Sequence, residues 1–438
     1  MSDHMFMLES HLNVQQMAAL LSVQAAANDA GLSIYLTGAA LRDMLGGFQI
    51  RDLDFTVEGN AAAFAKTLPK KLGAELVSID PKRNLAELIL PKHVTIRIGM
   101  SRKEVYGKPA SKAQISPAPI HDDLLCRDFT INAIAMSLNK QSLGLYVDPS
   151  NGIGDMQNKE LRIVGKYSLY DDPARILRLF RYRVRMGFTL SEKTQNQYSN
   201  VRELKLESKI SNEAIGKEFR AIAAEANSAD IVKLLDEEKL LSLFCPALTG
   251  AKVNHAGLQK LQRVRTNVPP ELDFPVDNLP LFLAVLGEKL APRDRSALAK
   301  ICGLTRAEVA AWGKLEAGAK KLERDLKAGT LNKPSKVFAA ASKGTGEQIL
   351  FVLYRSEARL VQDRLKNHLQ KYLMVQHEMT DEEIAEGVGA AKPGTPKYEK
   401  ACIAVLHKKL DARPKKIVVE VPPPGPVLSA PIVASARR

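Results

Sequence analysis

Two aspartates, Asp52 and Asp54, alternate with apolar residues at the start of an apolar run, and this spacing suits metal chemistry. Side chains in a strand alternate between its faces, so both carboxylates lie on one face, with Leu53 and Phe55 on the other. Two like charges on one face repel each other unless a cation lies between them. Carboxylate oxygens that leave positions for phosphate oxygens suit Mg²⁺. The pattern predicts a Mg²⁺ site at Asp52 and Asp54, with a capped turn or plain solvent exposure as the alternative.

The elements that must position this pair are a strand, a turn, a short helix and a second strand. The hydrophobic pattern predicts strands at Ser33–Leu36 and Leu53–Val57, with a helical segment at Ala40–Leu45 between them. Gly38 and Ala39 form the turn, where small side chains leave the backbone N–H groups of a helix start open to an anion. The arrangement predicts that a triphosphate lies on the turn and shares its metal with the aspartates.

The order of these features resembles the motif of the class II nucleotidyltransferases, which include CCA-adding tRNA nucleotidyltransferases and bacterial poly(A) polymerases. A Gly-small pair, an Arg-Asp pair, a Gly-Gly pair and D-x-D follow one another in this chain as in that family. The family usually has a second glycine where this chain has Ala39. The resemblance implies that Asp52 and Asp54 are catalytic metal ligands. It also implies nucleotide binding by three residues of this motif: Gly38, Ala39 and Arg42.

A second motif resembles the R-R-D-F-T-x-N-A motif of the same family, with Cys126 in place of the first arginine. The resemblance implies that Arg127, Asp128 and Asn132 bind the incoming nucleotide. An aspartate can accept a hydrogen bond from a ribose 2′-hydroxyl and an asparagine can bridge to sugar or phosphate, so ribonucleotides are the expected substrates. The alternative is that Asp128 caps a helix at Phe129–Leu138 while Arg127 forms a surface ion pair.

A third motif resembles the E-D-x-x-R motif of the family, with Asp171 in place of the glutamate. The resemblance implies that Asp172 and Arg175 read the edge of the base. Cytosine and adenine each present an amino donor beside a ring-nitrogen acceptor, which a carboxylate and a guanidinium match, whereas uracil and guanine do not. The alternative is structural, because Pro173 suits the first position of a helix that Asp172 would cap.

Four arginines follow in the same predicted helix. Arg178 and Arg181 are expected to face the substrate, with Arg178 among the nucleotide-binding residues, whereas Arg183 and Arg185 are expected to be solvated. Three positions depart from the family's pattern and leave the details of nucleotide selection open: Arg97, Cys126 and Ala214.

Composition favours a polyanionic partner. Lys and Arg number 63 against 49 Asp and Glu, which gives a formal charge of +14. The four cysteines lie far apart without a C-x-x-C pair, so neither a zinc site nor a disulfide framework is indicated. The chain has no apolar run of membrane-spanning length and no secretory leader pattern. We therefore expect a soluble protein of the cytoplasm that does not bind membranes.

The predicted fold is an α/β head with a small mixed sheet of about five strands, of nucleotidyltransferase type, followed by an all-α neck, body and tail. Gly107–Pro119 is predicted to be a mobile loop. The expected domains are a catalytic head at 1–150, a helical neck for nucleotide and RNA binding at 151–227, a helical body and tail for tRNA binding at 228–375, and a basic, Pro-rich, disordered tail at 376–438.

These inferences converge on template-independent, Mg²⁺-dependent addition of CMP and AMP to the 3′ end of tRNA, with CTP and ATP as substrates and Mg²⁺ as cofactor. The same head motifs also fit a poly(A) polymerase or an enzyme that adds only CC or only A. A non-catalytic RNA-binding protein on the same scaffold is the alternative from another class. The sequence gives no information on oligomeric state.

Overall fold

The computed structural model describes residues 3–91, 94–270, 272, 274–389 and 394–412. Its strands are β1 Ser33–Thr37, β2 Leu53–Glu58, β3 Glu75–Asp80, β4 Leu85–Leu90, β5 Val94–Met100, β6 Arg102–Val105, β7 Gln114–Pro117, β8 Ala135–Ser137, β9 Tyr146–Val147, β10 Glu160–Leu161 and β11 Thr189–Leu190. Seven of these described strands form one mixed sheet in the order β3-β4-β5-β2-β1-β8-β9. The other four form two separate pairs, β6 with β7 and β10 with β11.

The α-helices in the described residues surround this sheet or follow it in the chain. They are α1 Asp3–His11, α2 Val14–Asp29, α3 Ala39–Leu45, α4 Ala61–Ala65, α5 Leu68–Leu72, α6 Ile120–Leu125, α7 Gly152–Asn158, α8 Ser168–Asp171, α9 Arg175–Met186, α10 Glu192–Glu203, α11 Asn212–Ala224, α12 Ser228–Glu237, α13 His255–Arg265, α14 Asn278–Leu286, α15 Pro292–Ile301, α16 Arg306–Leu326, α17 Pro334–Ala341, α18 Gly346–Arg355, α19 Arg359–Asn367, α20 Leu373–His377, α21 Asp381–Val388 and α22 Pro396–Ala412. None of them is long and apolar enough to cross a membrane.

The centre of the sheet is formed by β1, β2 and β5. Leu53 and Phe55 of β2 are buried in the hydrophobic core, so Asp54, between them in sequence, faces the other side. In the antiparallel pairing with β1, Asp54 lies opposite Thr37. In the parallel pairing with β5 it lies opposite Arg97. The register therefore fixes which side chains can surround the aspartate.

The chain forms two compact units, as far as its residues are described. The first contains the sheet and consists of Met1–Arg265 with Asp277–Glu316. The second consists of Thr266–Val276 with Ala317–Arg438, and its described residues past 317 are mostly helical. The domain boundaries expected at residues 150 and 227 both lie inside the first unit, so the division there into head and neck stays a prediction.

The predicted fold class, a mixed-sheet head followed by helices, is confirmed, but three local expectations differ from the structure. The described sheet has seven strands rather than about five, because β8 and β9 extend it beyond β1. The helix expected at Phe129–Leu138 is wrong: a 3₁₀ turn at Thr130–Asn132 precedes strand β8. The expected loop at Gly107–Pro119 contains β7, which pairs with β6. β8 pairs with β1, which is distant in sequence, whereas β7 forms a hairpin with the neighbouring β6. In both cases strand pairing overrides local preference.

The expectation of a disordered tail at 376–438 is wrong for its first part. Residues 381–388 and 396–412 form α21 and α22, and α22 contributes Leu406 and Leu410 to a buried cluster with Phe338 and Val375. The Ala- and Lys-rich composition that suggested disorder also suits helices. Leu406 and Leu410, one helical turn apart, lie on the same face of α22 and pack it against the other helices of the second unit. Residues 413–438, including the Pro-rich run, lie outside the described residues.

Candidate functional site

A cavity of about 570 Å³ brings the three sequence motifs together within the first unit. Its lining includes side chains from β2, β5, α9 and α11. Every site residue predicted from the sequence lines it except Gly38: Ala39, Arg42, Asp52, Asp54, Arg127, Asp128, Asn132, Asp172, Arg175 and Arg178. Residues that are up to 174 positions apart in sequence, such as Arg51 and Glu225, are in direct contact here.

Asp52 and Asp54 both face a single cation, the guanidinium of Arg97. Arg97 Nη2 donates a hydrogen bond to Asp52 Oδ2 at 2.7 Å, and Arg97 Nε lies 3.1 Å from Asp54 Oδ1. Burial raises the pKa of Asp54, and the positive charge of Arg97 acts in the opposite direction. The two carboxylates thus share one side of the sheet, as the alternation of side chains predicts.

The donor set here fits a divalent ion only in part. No group of three or more His, Cys, Asp or Glu side chains in the described residues is arranged to hold a metal ion. However, Asp52 and Asp54 already bind one cationic group between them and line an open cavity. Two carboxylates with free positions for phosphate oxygens are a donor set that suits Mg²⁺. The residues therefore fit a metal ion completed by a substrate's phosphates.

Gly38 brings the turn after β1 close to the charged groups of the site. Its φ is +69°, a conformation that glycine adopts without strain. A Cβ atom at this position would lie 3.3 Å from Arg127 Nη1 and 3.7 Å from Asp54 Oδ2. A side chain here would therefore crowd Arg127 and come into van der Waals contact with Asp54. The neighbouring Ala39 lines the cavity, so its small side chain leaves space there.

Arg42 is buried and its guanidinium is fully engaged with protein groups. Nε and Nη2 donate to Asp43 Oδ1 at 2.9 and 2.7 Å, and Nη1 donates to Asn132 Oδ1 at 2.8 Å. The guanidinium carbon also lies 4.8 Å from the centre of the Tyr182 ring. These contacts join α3 to α9. The implied nucleotide-binding role of Arg42 stays a prediction, whereas its contacts place it in the framework of the site.

The second motif forms a tight hydrogen-bonded group on the cavity wall. Arg127 Nε and Nη2 donate to Asp123 Oδ2 at 3.0 and 2.8 Å. Because Asp123 is buried, this ion pair is not the surface pair of the structural alternative. Asp128 Oδ1 accepts from Asn132 Nδ2 at 2.9 Å, and Asp128 Oδ2 accepts from Arg178 Nη1 at 2.7 Å. Arg127, Asp128 and Asn132 are therefore held rigidly at the cavity.

Asp128 should make the fold sensitive to acid. Burial alone would raise the pKa of Asp128, but the charges of Arg178 and Arg175 hold it well below its usual range. A carboxyl whose pKa is lower in the folded than in the unfolded state stabilises the fold at pH above its unfolded value, about 3.9. That contribution is lost as the pH falls below this value. We expect urea unfolding at pH 6 and pH 3 to show a large loss of stability in the wild type and a smaller loss in Asp128→Asn. Equal losses in both would contradict this role.

The third motif lies where α8 meets α9. Asp172 Oδ1 accepts from the backbone N–H of Ala174 at 3.1 Å, which closes a turn just before α9. The helix begins at Arg175, after Ala174, and has no side-chain cap, so Asp172 is not the cap that the structural alternative predicted. Arg175 Nη1 donates to Ser168 Oγ at 2.7 Å, and Nη2 donates to the Cys126 carbonyl at 3.1 Å. Arg175 Nε makes no hydrogen bond and lies 3.6 Å from Asp172 Oδ2. Asp172 Oδ2 and the buried Nε of Arg175 are thus an acceptor and a donor side by side, without a hydrogen bond between them.

Arg178 and Arg181 form a buried ion-pair network that sequence analysis did not predict. Glu218 of α11 accepts from Arg178 Nε at 2.8 Å and from Arg181 Nε at 3.2 Å. Arg181 Nη1 also donates to Glu225 Oε1 at 3.1 Å. Arg178 Nη1 donates to Asp128 Oδ2, as described above. The network joins α9, α11 and the second motif.

Arg185 is not solvated, contrary to the expectation from the sequence. Its Nη2 donates to Asp43 Oδ2 at 2.8 Å, and its Nη1 lies 3.5 Å from Glu225 Oε1. Arg183 is exposed, as expected. A signal for this difference was present in the sequence, because arginines three and four residues apart share one helix face. The arginines with that spacing are Arg178, Arg181 and Arg185.

Part of the chain is similar to known proteins. Residues 34–162 match the family model described as Poly A polymerase head domain. The chain is similar to an A-adding tRNA nucleotidyltransferase of Aquifex aeolicus, with 32% identity over 53% of this chain and 28% of that protein. It is also similar to a CCA-adding enzyme of Lactobacillus delbrueckii, with 29% identity over 70% of this chain and 78% of that protein.

Among solved structures, the apo form II of a CCA-adding enzyme matches with a TM-score of 0.56 and 24% identity, over 94% of this chain and 96% of that one. This likeness confirms the fold. The chain spans less than half the length of the A-adding relatives that it matches, between 28% and 46% of each.

Proposed function

We propose that this chain is a template-independent nucleotidyltransferase that adds CMP and AMP to the 3′ end of tRNA, which is supported by the match of residues 34–162 to the Poly A polymerase head domain model. The observation that carries the proposal is the convergence of Asp52 and Asp54 with the second and third motifs on one cavity. The formal charge of +14 fits a nucleic-acid partner. CTP, ATP and tRNA are the proposed substrates.

In this proposal, Asp52 and Asp54 hold Mg²⁺. When bound there, the ion supplies the charge that lowers the pKa of the RNA 3′-hydroxyl and neutralises the pyrophosphate leaving group. The turn at Gly38 and Ala39 leaves space beside the aspartates for the triphosphate, because neither residue has a bulky side chain.

Asp128 and Asn132 are proposed to hold the ribose. Asp128 Oδ1 already accepts from Phe129 N and Asn132 Nδ2, whereas Oδ2 accepts only from Arg178 among the hydrogen bonds of the described residues. A carboxylate oxygen can accept two hydrogen bonds, so Oδ2 has one acceptor position left for a ribose hydroxyl. Asn132 Nδ2 likewise has a second hydrogen to donate. These free positions support a preference for ribonucleotides.

Asp172 and Arg175 are proposed to select the base. The nucleotide's amino group would donate to Asp172 Oδ2, and its ring nitrogen would accept from Arg175 Nε, the donor of that side chain that makes no hydrogen bond. Cytosine and adenine both offer this pair of groups, and uracil and guanine offer the reverse. The other nitrogens of Arg175 are held by Ser168 and backbone carbonyls, which fixes the direction of its Nε–H.

Asp172→Ala should relax discrimination against UTP. Each mismatched buried hydrogen bond costs about 1–3 kcal/mol, so the CTP-to-UTP ratio of kcat/KM should fall roughly ten- to hundredfold. Loss of the Asp172–Ala174 hydrogen bond alone predicts only a loss of about 1 kcal/mol in stability with base preference unchanged. Asp172→Asn is the matched control, because asparagine keeps an oxygen that can accept from Ala174 but not the charge. An unchanged ratio in both variants would rule out base reading by Asp172.

One assay tests the proposed activity as a whole. The purified chain is incubated with Mg²⁺, both CTP and ATP, one of them labelled, and tRNA transcripts that end at the discriminator base, after C, after CC or after CCA. Completion of CCA on the first three and arrest on the fourth supports the proposal. Continued addition of AMP would identify a poly(A) polymerase, and no incorporation would favour a non-catalytic RNA-binding protein.

Addition of A alone is a second candidate, favoured by the similarity to the Aquifex aeolicus A-adding enzyme. In the same assay it would appear as AMP incorporation on the transcript ending in CC, without CMP incorporation on the shorter ones.

We also propose a cytoplasmic location, which is supported by the four cysteines being free thiols in the structure.

A further inference from the structure

Arg97 lies between carboxylates on both sides in the sheet. On β5 it is directly opposite Asp54 of β2 and directly opposite Glu87 of β4. Residues directly opposite one another in neighbouring strands project from the same face, with Cβ atoms roughly 4.5–5.5 Å apart in an antiparallel pair. Asp52, just before β2, accepts from Arg97 Nη2. One guanidinium therefore has acids to either side.

The contact of Arg97 with the aspartates is asymmetric. The bond to Asp52 Oδ2 is short, at 2.7 Å, whereas Nε approaches Asp54 Oδ1 at 3.1 Å without forming a hydrogen bond. The Arg97 side chain is 39% exposed, so it is not locked in place by packing. Its present position is the space between the two carboxylates that a divalent ion would take.

Charge balance limits what can occupy that space. With Arg97 in place, the aspartate pair carries a net charge of −1. A divalent ion added beside Arg97 would bring three positive charges to two negative ones, which costs free energy because the two cations repel each other at short range. If the guanidinium moves to Glu87 instead, the metal and the aspartates balance to zero, and so do Arg97 and Glu87.

We propose that Arg97 is a built-in counter-ion of the Asp52–Asp54 pair, that a divalent ion displaces it, and that Glu87 receives the displaced guanidinium. This proposal rests on the proposed metal-binding role of the two aspartates. Metal binding is then an exchange of one cation for another, and Arg97 is a positioning residue that holds the carboxylates together before the metal arrives. As an arginine it stays charged both beside the aspartates and beside Glu87.

The test measures Mn²⁺ binding to the full chain without nucleotide, from the electron paramagnetic resonance signal of free Mn²⁺. Arg97→Gln removes the competing charge and should lower the Kd for Mn²⁺ roughly tenfold, a modest factor because the pair is partly exposed to solvent. Glu87→Gln removes the receiving carboxylate and should raise the Kd. Glu75→Gln, at the exposed start of edge strand β3, is the matched control and should leave the Kd unchanged.

A second readout is thermal melting. Without metal, Arg97→Gln should melt at a lower temperature than the wild type, because the two carboxylates then repel each other. Addition of Mn²⁺ should remove this difference in melting temperature. Arg97→Met, uncharged and of similar length, replaces Arg97→Gln if the latter does not fold.

The outcomes separate this inference from the proposed function. If Asp54→Asn abolishes Mn²⁺ binding but Arg97→Gln leaves the Kd unchanged or raises it, the counter-ion role is wrong and the metal site stands. If Asp54→Asn binds Mn²⁺ as tightly as the wild type, the metal role of the aspartates fails, and the inference fails with it. Tighter binding by Arg97→Gln together with weaker binding by Glu87→Gln supports the exchange.

Discussion

Asp54→Asn should lower the rate of nucleotide incorporation by about three orders of magnitude while tRNA affinity stays close to that of the wild type. Asparagine has nearly the same size as aspartate but lacks the charge that would hold a metal ion at the reacting groups. The loss should appear in kcat, because the carboxylate acts on the reacting groups. Phosphate contacts made by basic residues elsewhere on the chain should be unaffected. Single-turnover incorporation of labelled CMP and a filter-binding titration with tRNA measure the two quantities on one preparation.

Asp122→Asn provides the matched control for this experiment. Asp122 lies in the first unit, as Asp54 does, but its side chain is 45% exposed and it does not line the cavity. Its replacement should change incorporation by less than about twofold, as expected of a surface substitution. Near-normal incorporation by Asp54→Asn, or a similar loss in the Asp122 variant, would remove the basis for assigning catalysis to this carboxylate.

The parts of the site that follow from short-range pattern were predictable. The strand before the turn, the short helix and the strand after it all occur within one or two residues of the expected bounds. Alternation within β2 was sufficient to predict that Asp52 and Asp54 share a face while Leu53 and Phe55 enter the core. These features depend on residues close in sequence, so periodicity carries the information.

The parts of the fold and of the site that were not predicted depend on contacts between segments distant in sequence. Periodicity carries no information about which distant segments meet. Thr130–Asn132 and β8 replace an expected helix because β8 pairs with β1, about a hundred residues earlier. Arg97 appeared in the sequence only as a departure from a family pattern, and its contact with both aspartates depends on the β2–β5 register. Arg185 seemed exposed because its partner, Asp43, lies 142 residues away.

The same long-range contacts explain how the motifs are held relative to one another. Asp128 and Asn132 of the second motif are fixed by Arg178 and Arg42, which come from a later and an earlier element. Arg178 in turn depends on Glu218 of α11. The cavity wall is therefore a chain of alternating charges, each of which is buried with its partner. Removing one member should disturb the others, because an unpaired buried charge costs more than the pair contributes.

Glu218→Ala should be among the most destabilising single substitutions in the first unit. It removes the carboxylate between Arg178 and Arg181 and leaves two largely buried guanidiniums without that partner. Loss of one partner from a buried ion pair typically costs about 3–5 kcal/mol. We expect a loss of this size in the free energy of unfolding, measured by urea titration at neutral pH. Glu218→Gln, which keeps an oxygen acceptor, should lose less.

Glu213→Ala on the same helix is the matched control for this loss. Glu213 is exposed, whereas the side chain of Glu218 is 3% exposed, so its removal should change stability by less than about 0.5 kcal/mol. Both glutamates lie on α11, and their positions in the sequence alone do not rank them. The structure ranks them by burial and partners: Glu218 holds the arginine that fixes Asp128, and Glu213 faces water. Equal losses in the two alanine variants would show that the network is not what stabilises the wall of the cavity.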